Sequence, residues 1–289
     1  MKKKLSLLLV PAIALTLTAC GSSGSSDGQS AALESAKSSS APTQVENMEI
    51  TLTWDTVDSM DGERTTITRN GLYTGEVTDG IPNGQGSFSS VNDEGDSWVY
   101  TGAFKDGKFN GYGKTVWDST TQIQEGTYVD GVFTPNTFEL FNSIKDSLFI
   151  QYDFSKENAE FINENLDIFP AISEEGKTLM SNSIRSDLTY PMMTKTLDGL
   201  AGQLYECTAS TALQVSQEYL YGHTITSILA YDNDSNFYVI LYDGVLPDVY
   251  DNTNISFVGL PISASGFDNV SGGTTNAIVL LGSMVNVID

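Results

Sequence analysis

The chain has 289 residues, with 37 acidic and 14 basic side chains, and its formal net charge is −23 at pH 7. A surface with this charge repels phosphate backbones and anionic headgroups, so we do not expect the protein to bind nucleic acid. Two cysteines and one histidine are too few for a zinc site, and the sequence predicts no metal and no other cofactor.

The N-terminus has the composition of a targeting segment. Lys2 to Lys4 are basic, and the apolar run at 5–18 is too short to span a bilayer. The run ends in Leu-Thr-Ala-Cys-Gly, which resembles a bacterial lipobox, and this resemblance implies cleavage before Cys20 and lipidation of its thiol. We therefore expect residues 1–19 to be a lipoprotein signal peptide. The weaker alternative is an ordinary signal peptide with a cysteine there by chance.

Lipidation at Cys20 predicts a protein anchored to membrane lipid on the extracytoplasmic face of the cell membrane. Residues 20–47 are rich in Ser and Gly and predict a disordered tether. With Cys20 acylated, Cys207 has no disulfide partner, and its strand-like surroundings favour a buried, unreactive thiol.

The next stretch repeats one spacing of tyrosine, glycine and Asp-Gly steps, and its first two copies lie 27 residues apart. A fixed period of this length indicates one supersecondary unit stacked on itself. The Asp-Gly steps favour tight hairpin turns, which need residues that tolerate positive φ. The repeated residues are Tyr73, Gly75, Gly80, Gly84 and Gly86, then Tyr100, Gly102, Gly107, Gly111 and Gly113, and in a third, partial copy Gly126, Tyr128 and Gly131.

This spacing resembles that of MORN repeats. The resemblance implies an elongated sheet of β-hairpins and, usually, a scaffolding or membrane-proximal role, and it does not imply catalysis. We assign the repeat sheet to residues 48–133, in which a hairpin over 48–68 protects one edge. The repeated glycines and aromatics are expected to build the sheet rather than to contact a ligand.

Residues 134–199 form a predicted helical connector. Phe138 to Ile144 carry helical spacing behind an Asn or Thr cap, a second helix is predicted over 156–165, and a third begins after Ser173. The three segments predict short helices between two β regions.

Residues 200–289 contain five strand-like runs and resemble an OB-fold barrel, with a small β-sandwich as the alternative. The predicted fold class is therefore mainly β. In an OB-like barrel the ligand face lies on the second and third strands and the nearby loops. The strands would carry Thr226, Tyr231, Tyr238 and Tyr242, and the loops would be residues 219–223 and 263–275.

The sequence predicts no catalytic residue and hence no enzyme. His223 is the only histidine and lies in a turn, and the Gly-x-Ser-x-Gly spacing at 24–28 falls in the Ser- and Gly-rich tether instead of between a strand and a helix. The run Asp232-x-Asp234-x-Asn236 resembles the start of a calcium loop, but Phe237 stands where such a loop needs glycine. A polar hairpin turn is the better interpretation.

The leading functional hypothesis is a lipid-anchored, extracytoplasmic binding or scaffolding protein whose partner is an envelope protein or polysaccharide. One alternative is a carbohydrate-binding protein of the envelope that uses exposed aromatic side chains. A second alternative is a hydrolase that uses two carboxylates at a fixed separation in a groove.

Overall fold

A computed structural model describes residues 41–57, 63–119, 123–197, 199–268 and 272–288. Residues 39–289 form one compact unit. The predicted signal peptide, Cys20 and most of the predicted tether lie outside the described residues. In the described part of the chain, no helix has both the length and the apolar character needed to cross a membrane.

The N-terminal part of this unit is a seven-stranded antiparallel sheet whose strands follow one another in chain order. The strands are β1 (Thr43–Val57), β2 (Arg64–Thr78), β3 (Ile81–Val91), β4 (Ser97–Lys105), β5 (Lys108–Trp117), β6 (Ile123–Val129) and β7 (Val132–Phe133). Residues 43–47, assigned above to the tether, belong to β1, because 43–45 pair with 75–77 of β2.

The spacing of the repeats follows from the packing of one tyrosine per hairpin. Tyr73 is fully buried, its hydroxyl donates to the Glu76 carbonyl at 2.7 Å, and its ring lies against Gly86. Tyr100 repeats this arrangement with Gly113. A Cβ atom on either glycine would collide with the tyrosine ring, so the Tyr-x-Gly and Gly-x-Gly elements require each other.

The Asp-Gly steps are the hairpin turns, as predicted. Asp106 and Gly107 both have positive φ, +50° and +78°. Successive turns are joined because the Gly107 amide donates to the Pro82 carbonyl at 3.0 Å, and the Gly131 amide donates to the Phe109 carbonyl at 2.8 Å. The turns therefore form a second hydrogen-bonded row along one side of the sheet.

Four short helices follow the sheet, and the first three lie where the sequence predicts them. They are α1 (Thr137–Ile144), α2 (Lys156–Glu164), α3 (Glu174–Ser183) and α4 (Tyr190–Lys195). α4 was not predicted, because it has six residues and a proline in its first turn and so shows too little periodicity.

The C-terminal part is a closed five-stranded barrel, so the prediction of a mainly β fold with a five-stranded barrel is confirmed and the β-sandwich alternative is wrong. Its strands are β8 (Tyr205–Leu220), β9 (His223–Asp232), β10 (Phe237–Asp243), β11 (Asn254–Asp268) and β12 (Thr274–Val287). They pair around the ring in the order β8, β9, β10, β12, β11, and only β10 and β12 are parallel.

The barrel has apolar side chains on both faces of its wall. One core fills the interior and contains Ile228, Tyr238 and Phe257. A second core lies on the outer face, where Leu140 and Phe141 of α1 pack with barrel residues. The helical segment is therefore a covering layer of the barrel as well as a connector.

Candidate functional site

The inner face of the repeat sheet contains a cavity of about 510 Å³, which we call the tryptophan cavity. All three tryptophans of the chain line it, together with four other aromatic residues. The lining residues are Trp54, Thr56, Val57, Thr65, Ile67, Arg69, Asn92, Trp98, Phe109, Thr115, Trp117, Gln124, Tyr128, Gly131, Val132, Phe133 and Tyr221. Its volume lies within the range of ordinary small-molecule sites.

Strand pairing and the curl of the sheet bring the tryptophans together. Trp98 and Trp117 lie directly opposite each other on β4 and β5. Trp54 reaches the cavity from β1, and its ring meets that of Trp98 edge-on at 5.9 Å between centroids. β1 also lies beside the turn between β6 and β7, since a Cβ atom on Gly131 would collide with Trp54. Sheet curvature therefore encloses one side of the cavity.

The polar groups of the cavity add little net charge. Arg69 is the only charged residue among the described residues that line it, and its guanidinium is paired with Asp93 at 2.7 Å. The Tyr128 hydroxyl is hydrogen-bonded to Thr115 Oγ1 at 2.8 Å, and burial raises the pKa of Tyr128. The polar residues Thr56, Thr65, Asn92 and Gln124 also line the cavity.

The barrel contributes one wall of the cavity through the hairpin between β8 and β9. The ring of Tyr221 meets that of Phe133 edge-on at 5.1 Å between centroids. Two residues later, His223 Nδ1 lies 3.0 Å from both carboxylate oxygens of Asp243, and Nε2 lies 2.9 Å from the Pro135 carbonyl. His223 thus joins the barrel hairpin to the segment that leads out of the sheet.

Both ring nitrogens of His223 face acceptors, so the protonated imidazolium suits this position. The hydrogen bond with Asp243 raises the pKa of His223 above its ordinary value of 6.5, burial lowers it in part, and the Pro135 carbonyl raises it further. Thr137 Oγ1 donates to the same Asp243 carboxylate at 2.8 Å. Both nitrogens of His223 therefore take part in contacts that hold two parts of the fold together.

The prediction that Tyr238 and Thr226 lie on a ligand face of the barrel is wrong, because both residues are fully buried. The Tyr238 ring lies inside the barrel, and its hydroxyl donates to Asp232 Oδ2 and contacts the Tyr205 hydroxyl, each at 2.9 Å. Tyr242 packs against the same interior core, and only Tyr231 is exposed. Alternation along β10 divides its side chains between the two cores, with Tyr238 and Ile240 in the interior and Val239 and Leu241 on the outer face.

Asp232 behaves as the predicted polar turn residue. One of its carboxylate oxygens accepts from the Asp234 and Asn236 amides at 2.9 Å, and the other accepts from Asn236 Nδ2 and the Tyr238 hydroxyl. Burial acts to raise the pKa of Asp232, but these hydrogen bonds outweigh it, so the pKa is lowered. Within the described ranges no cluster of three or more His, Cys, Asp or Glu could hold a metal ion.

Two of the repeat residues singled out from the sequence, Tyr128 and Gly131, line the tryptophan cavity. The aromatic residues predicted to pack the repeat sheet include Trp98 and Trp117, and the meeting of all three tryptophans was not predicted. The positions of the tryptophans could have indicated a shared site, because Trp54, Trp98 and Trp117 all lie near strand ends on the same side of the repeat sheet.

A family model of the MORN repeat matches residues 73–94 and 100–122. The match covers the two complete copies of the repeat and ends before the third, partial copy. No curated protein and no solved structure matches the chain significantly.

Proposed function

We propose that the protein is a lipid-anchored, extracytoplasmic and non-catalytic binding module, and that the tryptophan cavity is its ligand site. The observation that carries this proposal is the convergence of all three tryptophans on one cavity of about 510 Å³. Concave sites lined by aromatic residues with a few polar groups are the usual form of a small-ligand site.

The two MORN repeats support a binding or scaffolding role, because such repeats provide a surface rather than catalytic groups. The C-terminal part is, in this proposal, an OB-like barrel that serves for packing. Helices cover part of its outer face, its interior is filled, and its contribution to the cavity is Tyr221.

The charge distribution supports a partner other than nucleic acid. No Lys or Arg follows Lys195, so the barrel offers no lysine or arginine to a phosphate backbone. The cavity does not support the alternative of a hydrolase with two catalytic carboxylates, because none of the described residues that line it is Asp or Glu. The carbohydrate-binding alternative gains support from the same aromatic lining.

Metabolic labelling with a fatty acid tests the anchor. We expect label on the wild-type protein and none on Cys20→Ser, because the thiol is the proposed acceptor of the lipid. Wild-type protein that carries no label would refute lipid anchoring and would leave the cavity proposal standing.

Capture from envelope extract tests the ligand site. The bait is residues 39–289, which form one compact unit, and Trp117→Ala is compared with Val116→Ala. These two residues are neighbours on β5 and point to opposite faces, Trp117 into the cavity and Val116 to solvent. We expect Trp117→Ala to lose the captured component and Val116→Ala to retain it. Equal capture by both variants would refute the cavity as the ligand site.

A further inference from the structure

We propose that the tryptophan cavity binds an uncharged oligosaccharide. This inference rests on the proposed function, in which the cavity is the ligand site, and it specifies the chemical class of the ligand.

The aromatic lining suits the C–H faces of sugar rings. Trp54 and Trp98 are buried and fix the shape of the cavity, whereas Trp117 is only partly buried and has an accessible surface. Large, rigid aromatic rings give extensive contact at low cost in conformational entropy. Trp117 is therefore the residue on which a sugar ring would stack.

The polar lining suits hydroxyl groups. The Thr56 and Thr65 hydroxyls and the Gln124 amide are among the groups that line the cavity. Hydroxyl and amide groups both donate and accept hydrogen bonds, as sugar hydroxyls do. A ligand with apolar faces and hydroxyl edges matches both kinds of lining.

The charge of the cavity favours an uncharged ligand. Arg69 is already paired with Asp93, and no carboxylate occurs among the described residues that line the cavity. A charged group that enters a partly desolvated site without an opposite charge loses its hydration without compensation. The acidic excess of the whole chain, with a net charge of −23, further disfavours an anion.

The shape of the cavity favours an oligosaccharide over an extended peptide. Contact between β1 and the turn at Gly131 encloses one side. β2 to β6 are each paired on both sides and offer no free edge to a peptide, and the two edge strands of the sheet, β1 and β7, approach each other where Trp54 meets Gly131. Recognition must therefore come from side chains, as it does for sugars.

The test is titration of the 39–289 unit, which has its own hydrophobic cores, with uncharged tetrasaccharides of glucose and of N-acetylglucosamine. Tetragalacturonate and a chitosan tetramer serve as anionic and cationic comparators, and a proline-rich peptide represents a protein ligand. Binding is measured by calorimetry and by tryptophan emission, because every tryptophan lies at the cavity.

We expect saturable binding of at least one uncharged tetrasaccharide, with a change in tryptophan emission. Trp117→Ala should weaken binding by about tenfold or more, as expected for truncation of a central aromatic contact. Trp117→Phe keeps an aromatic face and should bind better than Trp117→Ala. Tyr250→Ala, which truncates an aromatic residue that is 67% exposed on the barrel, should leave binding unchanged.

Three results would overturn the inference. One is preferred binding of a charged tetrasaccharide or of the peptide. Another is sugar binding that is the same for Trp117→Ala and the wild type. The third is absence of sugar binding while capture of an envelope component still depends on Trp117, which refutes the ligand class and leaves the proposed function intact.

Discussion

The carboxylate of Glu139, in the first turn of α1, accepts hydrogen bonds from the backbone amide of Thr127 at 3.0 Å and from its hydroxyl at 3.1 Å. Thr127 lies on β6, next to the short strand β7, at a position where a longer strand would pair with it. Glu139 also accepts from the Asn136 amide at 2.9 Å and so completes the capping box of α1. The buried side chain of Glu139 therefore bonds both to the last long strand of the repeat sheet and to the N-terminus of the first helix.

Replacement of Glu139 by Ala should lower the free energy of unfolding by about 2 kcal/mol, because it leaves the partly buried backbone amides of Thr127 and Asn136 without acceptors. For a unit of this size that corresponds to a fall in Tm of roughly 4–8 °C. Glu157→Ala is the matched control, since Glu157 occupies the first turn of α2 and is exposed. Equal melting temperatures for the two variants would contradict the role assigned to Glu139.

Gly113→Ala should destabilise the sheet by about 1–3 kcal/mol, because the added methyl group collides with the ring of Tyr100. In a Tyr100→Leu background the same substitution should cost less, since the ring is gone. Gly107→Ala is the control, because its strain comes from a φ of +78° and does not involve Tyr100. Chemical denaturation of the single and double variants measures the coupling. If the losses of unfolding free energy in the two single variants simply add in the double variant, Gly113 and Tyr100 do not interact in this way.

The contribution of His223 to stability should depend on pH. Because its pKa is raised in the folded protein, the stabilisation is complete below the ordinary value of 6.5 and is lost as the pH rises through the folded value. The difference in Tm between wild type and His223→Gln should therefore be larger at about pH 5.5 than at about pH 9. Proton NMR titration of the single imidazole gives the folded pKa directly. A difference in Tm that does not change with pH would show that the imidazolium does not form the link between Asp243 and Pro135.

Tyr238→Phe should destabilise the barrel by about 1.5–3 kcal/mol, because the hydroxyl is buried and bonded to the Asp232 carboxylate. Ligand binding at the tryptophan cavity should be unaffected, since Tyr238 lies inside the barrel. Tyr231→Phe, at an exposed position, should change neither property. If Tyr238→Phe abolished binding of the envelope ligand without unfolding the protein, the ligand site would have to include the barrel.

Local patterns in the sequence predicted the secondary structure well. The Asp-Gly turns, the period of the repeats and the Ser or Asn caps of the first three helices are each encoded within a few residues, and the structure has all of them. The barrel was predictable as five strands because turn residues separate its apolar runs. The extent of β1 was not predictable, since residues 43–47 have the composition of a linker and are held by pairing with β2.

The candidate site was less predictable because it depends on contacts that are distant in sequence. Trp54, Trp117 and Tyr221 meet only when the sheet curls and the barrel packs against its end. The inward orientation of Tyr238 depends on which face of β10 the closed barrel buries, which alternation alone does not determine. Periodicity therefore indicated the elements, and their long-range packing determined the site.

The central claim is that the ligand lies against the three tryptophans. The most direct measurement is the ¹H–¹⁵N spectrum of the ¹⁵N-labelled 39–289 unit, in which each tryptophan gives one indole signal, before and after addition of the captured envelope component. We expect shifts of the signals from Trp54, Trp98 and Trp117, with the largest change at Trp117, and little change in the amides of the barrel interior around Tyr238. Saturable binding with all three indole signals unchanged would contradict the claim.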